Sequence, residues 1–110
     1  MKVTNFDDAI VPKPSNKWNS IAKCSQNITV EDSLITYSIG LAVGSVPPSE
    51  GHACIQDVTF RNIVMEMPLK GIYIKPNPGS VGDGIISRIT YENIVINKPI
   101  WWSIYIGPQQ

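Results

Sequence analysis

Two adjacent carboxyl groups at Asp7 and Asp8, lysines at Lys13 and Lys75, and aromatic rings at Tyr73, Trp101, Trp102 and Tyr105 are the side chains whose types can do chemistry together. Paired carboxyl groups can divide the work of general acid and general base. Lysines bind anions as point charges, and aromatic faces form stacking platforms. Each has a plainer reading: neighbouring aspartates mark solvated turns, lysines sit on surfaces, and tyrosines in register stack for stability. His52, in Ser49-Glu50-Gly51-His52-Ala53, reads as a turn residue. No metal-ligand spacing appears, and no cofactor is expected. The choice between these readings depends on the elements that position the side chains.

Those elements read as strands. Ile occurs 17 times and Val 9, against 3 Leu and 4 Ala, and β-branched residues favour the pleated backbone over the helix. Pro and Gly punctuate the chain in Val46-Pro47-Pro48-Ser49, Lys75-Pro76-Asn77-Pro78-Gly79 and Gly82-Asp83-Gly84, which predict turns. At 110 residues, 43% hydrophobic and 16% charged, one globular core is expected. The formal net charge of zero argues against nucleic acid or an anionic membrane surface as a partner. No apolar run approaches a membrane span, and Met1-Lys2-Val3-Thr4-Asn5 lacks the apolar stretch of a signal peptide.

The strands repeat. Asn27–Asp32, Asp57–Asn62 and Arg88–Asn93 align at steps of 30 and 31 residues, superposing Thr29, Thr59 and Thr90. A second register joins Ala9–Lys13, Gly40–Gly44, Gly71–Lys75 and Ser103–Gly107 at steps of 31, 31 and 32. One period in two independent registers predicts a solenoid whose coils stack as parallel neighbours. A β-sandwich would normally join its strands by hairpin turns, and no Asn-Gly or Asp-Gly hairpin is seen between apolar runs.

Stacking turns equivalent residues into columns. Leu41, Ile72 and Ile104, with Val43, Ile74 and Ile106, are expected to point inward, and Ala42, Tyr73 and Tyr105, with Lys13, Gly44 and Lys75, outward. Lys13 and Lys75 then lie about 10 Å apart, a separation suited to different units of an acidic polymer. Asp32, Asn62 and Asn93 form a column suited to satisfying backbone groups at a turn. Cys24 and Cys54 fall one period apart, compatible with a disulfide or with two stacked thiols. The sequon Asn27-Ile28-Thr29 falls on a predicted strand.

With these registers in place, Asp7-Asp8-Ala9-Ile10-Val11, then Gly40-Leu41-Ala42-Val43-Gly44-Ser45-Val46, then Gly71-Ile72-Tyr73-Ile74-Lys75 resemble, in order and spacing, three signature strands of the polygalacturonases, the pectin-hydrolysing glycosidases. The resemblance implies an all-β, right-handed parallel β-helix of three to four coils. It also implies inverting hydrolysis of a pectin-like acidic polysaccharide, with Asp7 and Asp8 as the catalytic pair, Lys75 on the sugar carboxylate and a secreted location. One carboxyl group as acid and another as base, with water between, is what inversion requires. Adjacent strand residues face opposite sides, so Asp7 and Asp8 can share a cleft only if the chain bends there. Lys75, Tyr73 and Lys13 are the expected substrate-binding residues, on a polysaccharide or oligosaccharide.

The departures from the family pattern are specific. The Asn-Thr-Asp motif has no sequence to occupy upstream of Asp7, Ile39 stands at the histidine of the Gly-His-Gly strand, and Tyr73 stands at the arginine of Arg-Ile-Lys. Ala9 replaces a frequent cysteine, and Pro12 and Pro14 flank Lys13. The 110 residues read as a partial β-helix without N-terminal coils or caps, open to end-to-end association. A non-catalytic carbohydrate-binding solenoid and a purely structural one are the competing readings.

Overall fold

The computed structural model describes residues 1–14, 24–47, 52–77 and 82–108. Its strands are β1 (Lys2–Asn5), β2 (Asp8–Ile10), β3 (Ser25–Tyr37), β4 (Gly40–Val46), β5 (His52–Glu66), β6 (Lys70–Pro76), β7 (Asp83–Asn97) and β8 (Trp102–Ile106). Odd strands form one parallel sheet in the order β1-β3-β5-β7, and even strands a second in the order β2-β4-β6-β8. Each odd–even pair is one coil, so four coils stack into a parallel β-helix. Both predicted registers hold: Thr29 pairs with Thr59 and Thr59 with Thr90, while Leu41, Ile72 and Ile104 align in the other sheet. Pro48, Ser49, Pro78 and Gly79, in two of the predicted turns, lie outside the described residues. Among the described residues no helix is long and apolar enough to cross a membrane.

The long strands are folded at corners. Pairing between β3 and β5 skips Asn27 and Asp32, and pairing between β5 and β7 skips Asp57 and Asn62. These positions, with Arg88 and Asn93, are left-handed, with φ between 50° and 58°. Asn and Asp tolerate that conformation because their short polar side chains bond locally. Here they bond to one another along the stack: Asn62 Nδ2 donates to Asp32 Oδ1 at 3.3 Å, and Asn93 Nδ2 to Asn62 Oδ1 at 2.9 Å. The column at Asn27, Asp57 and Arg88 is tied by a forked pair, Arg88 Nε to Asp57 Oδ1 at 2.5 Å and Nη2 to Oδ2 at 2.9 Å. Tyr37, Met67 and Lys98 make a third left-handed column.

A one-residue corner shifts the inward phase of the strand. Val58 and Phe60 are buried before Asn62, and Ile63 and Met65 after it. With Ile35, Leu41, Val43 and Ile55 they form one core, and the Phe60 ring stacks on Tyr91 with centroids 4.9 Å apart. Cys24 and Cys54 form a disulfide with Cα atoms 4.5 Å apart, which decides between the bridge and the stacked thiols. His52 is not a turn residue: it opens β5 and pairs with Asp83, Nδ1 to Oδ1 at 3.1 Å.

The outward columns of the even sheet depart from a simple surface. Ala42, Tyr73 and Lys75 face away from the apolar core, yet all three are buried. Tyr73 and Lys75 line a cleft.

Candidate functional site

The cleft begins where β1 turns into β2. Phe6 and Asp7 form a bend between the two strands, and the β2–β4 register shifts between Asp8 and Ile10. A bend plus a bulge re-aims consecutive side chains, which a regular strand holds on opposite faces. The result is the sharing that adjacency alone forbids: Asp7 and Asp8 line one cleft of about 680 Å³ together with Asn5, Val11, Lys13, Ile39, Lys70, Tyr73, Lys75 and Trp101. Asp7 Oδ1 accepts the backbone N–H of Asp8 at 2.7 Å, and Asn5 Nδ2 donates to the Asp8 carbonyl at 3.0 Å. These local bonds hold the corner.

Further lining comes from β6, two coils on. Strand alternation places Lys75 and Tyr73 on the same face, and Lys70 precedes Gly71 at the start of the strand. A Cβ on Gly71 would lie 2.5 Å from Ser103 O and from Ile96 Cδ1, so the backbone passes close to β8 there only because the residue is glycine. Tyr73 donates its hydroxyl to the Pro108 carbonyl at 3.4 Å. Its ring centroid is 5.4 Å from that of Tyr105, which is 5.1 Å from that of Trp102. Trp101, 56% exposed, stands at the rim.

Charges on the floor are unequally matched. Lys75 Nζ is ion-paired with Asp8 Oδ2, and the two side chains are only 4% and 10% exposed. Among the described residues, Asp8 Oδ1 is buried with no donor, and so is Asn5 Oδ1. A buried acceptor without a partner is costly, so both oxygens are set to receive a hydrogen bond from a molecule entering the cleft. Lys70 is 3% exposed, and among the described residues its side chain has neither hydrogen bond nor ion pair, only aromatic faces. Burial pushes its ammonium below the usual lysine range; Lys75 adds to that, and Asp8 opposes it.

All five sequence-predicted site residues, Asp7, Asp8, Lys13, Tyr73 and Lys75, line this one cleft. The structure adds Asn5 and Lys70. Lys70 was legible in principle, because it lies one coil on from Ile39, the position read as the lost histidine, but the sequence reading did not single it out. Asn5 carried no periodic signal. Lys75 differs from expectation in having an internal partner, Asp8.

The family model for glycosyl hydrolases family 28 matches residues 2–108 of the chain. No curated protein and no solved structure gives a significant match.

Proposed function

The chain belongs to family 28 of the glycosyl hydrolases, and from that premise we propose that its cleft serves the inverting hydrolysis of glycosidic bonds in an acidic, pectin-like polysaccharide. The observation that carries the reading is Asp8: a buried carboxylate with one oxygen held by Lys75 and the other facing no donor among the described residues. An oxygen already paired with an ammonium has no proton to give, so Asp8 suits the base. Its free Oδ1 accepts a proton from water as the water oxygen bonds to the anomeric carbon.

Asp7 suits the acid. It is exposed at the bend, and with Oδ1 engaged by a backbone N–H its Oδ2 remains to carry a proton. As the bond from anomeric carbon to glycosidic oxygen breaks, that proton passes to the leaving oxygen. Lys75 has three donor hydrogens and keeps two for substrate while holding Asp8. Lys13 and the ring of Tyr73, which also line the cleft, complete the binding surface. An extracellular location fits the disulfide, which persists in oxidising compartments.

A second reading has its own observation. Ile39 lines the cleft where the polygalacturonase pattern has a histidine, so the site has a titratable group fewer and suits a carbohydrate-binding solenoid without turnover. The test is reducing-end release from polygalacturonate by this chain and by its Asp7→Asn and Asp8→Asn variants, with circular dichroism to verify folding. Hydrolysis that disappears in both variants supports the enzyme. A folded chain that binds the oligosaccharide, releases no reducing ends and binds equally well as Asp8→Asn is the binding module instead.

A further inference from the structure

We propose that the Lys70 ammonium, seated in a cage of aromatic rings on the cleft floor, is an anion-binding subsite that selects sugars carrying a negative charge. The proposal rests on the glycan-directed reading above and goes beyond it by assigning charge recognition to Lys70, which precedes the signature residues Gly71–Lys75 on β6.

The first observation is a mismatch. The cleft holds three lysines, Lys13, Lys70 and Lys75, against two aspartates, Asp7 and Asp8. Asp8 is committed to Lys75. A lysine is almost never fully buried without a partner, yet Lys70 is 3% exposed and among the described residues no carboxylate is ion-paired with it. An entering anion is the partner the site lacks.

The second observation is how the ammonium is held. Its nitrogen lies 4.0 Å from the ring centroid of Tyr73, 4.3 Å from that of Tyr105 and 5.9 Å from that of Trp102. The rings of Tyr73 and Tyr105 belong to one column, and Lys70 pairs in register with Trp102, so two coils combine to build the cage. Aromatic faces attract a cation without neutralising it. They fix its position while leaving its hydrogens for a ligand, whereas a carboxylate partner would have consumed both charge and donors. Lys75 lies 5.0 Å from the Tyr73 centroid, so two ammonium groups flank one ring. One serves Asp8 and the other is left for substrate.

The ligand chemistry is an anionic substituent on a pyranose, a carboxylate or a sulfate ester. Either accepts hydrogen bonds from the ammonium while the sugar ring meets Trp101 at the rim. A neutral sugar would leave the charge as it stands in the empty cleft.

Isothermal titration of this chain with trigalacturonate, its fully methyl-esterified form and a sulfated galactose trisaccharide tests the assignment, beside Lys70→Met and Lys70→Gln. The expected result is binding of an anionic trisaccharide at least 10-fold tighter than the ester, with that preference falling at least 10-fold in both variants. The tighter of the two anionic ligands identifies carboxylate or sulfate. Two variants are used so that a folding defect in one leaves the other to report. An unchanged preference in a folded Lys70 variant overturns the subsite while leaving the glycosidase reading intact. A folded wild-type chain that binds and cleaves none of the three overturns both.

Discussion

Lys75 and Asp8 are separated by 67 residues of sequence and meet as a nearly solvent-free ion pair. The contact crosses two coils and joins β2, which carries Asp8, to β6, which carries Lys75. Lys75→Met therefore leaves a buried carboxylate with neither oxygen paired, and breaking such a pair typically costs about 3–5 kcal/mol. Urea denaturation should show a loss of that order, and most of it should return in the Asp8→Asn/Lys75→Met double variant, where no charge remains to be buried.

The disulfide closes a loop across a separation of 30 residues. The chain-entropy relation assigns such a loop about 3–4 kcal/mol. Cys24→Ser/Cys54→Ser should lower the denaturation midpoint accordingly. It should also loosen the edge of the cleft, because Ser25 beside Cys24 donates its hydroxyl to the Lys13 carbonyl at 2.6 Å.

Asn62 occupies the middle of a left-handed column, with φ of 54° and side-chain bonds to the coils on both sides. Asn62→Ala should destabilise by about 1 kcal/mol, since alanine carries a Cβ penalty there and makes no ladder bond. Asn62→Gly should lose less, because glycine accepts the conformation freely. Comparing the two urea midpoints separates the backbone contribution from the ladder.

Lys70 predicts an unusual pH dependence. Burial and the neighbouring Lys75 depress its protonation in the folded state, Asp8 opposes them, and Asp7 and Lys13 are the other charged groups lining the cleft. A lysine with a folded pKa below its unfolded value releases its proton earlier on folding. Stability from this group therefore rises with pH between the folded pKa and the ordinary value of about 10.4, and falls as pH drops through the folded pKa. Lys70→Met should be more stable than the parent at neutral pH, and the gap should narrow as pH rises. A stability deficit in Lys70→Met at neutral pH would contradict the depressed ammonium.

Asp57 behaves in the corresponding acidic sense. The hydrogen bond from Arg88 holds its carboxyl below the usual aspartate range; desolvation opposes this, and the Arg88 charge adds to it. Its contribution is present above the ordinary aspartate pKa of about 4 and is lost as pH falls through the folded value. An NMR titration of Asp57 should move back toward the ordinary value in Arg88→Met.

The sequence alone was enough for the fold because a solenoid writes its geometry locally. A period of 30 to 32 residues in two registers, with β-branched alternation between them, requires stacked parallel coils; Thr29, Thr59 and Thr90 pair as their spacing demands. The left-handed corners were half legible, as a column of Asp32, Asn62 and Asn93 whose backbone reason became visible only with the dihedral angles. Asp7, Asp8, Lys13, Tyr73 and Lys75 were legible as candidates because they fall on or beside the repeating strands. What tertiary structure decided was who partners whom. Periodicity specifies which residues share a column, but the bulge that turns Asp8 toward Lys75, and the rings that close over Lys70, depend on side chains meeting across coils. Burial follows from that meeting: Lys75, expected on the outward face, and Lys70, which the sequence did not single out, are both buried where they line the cleft.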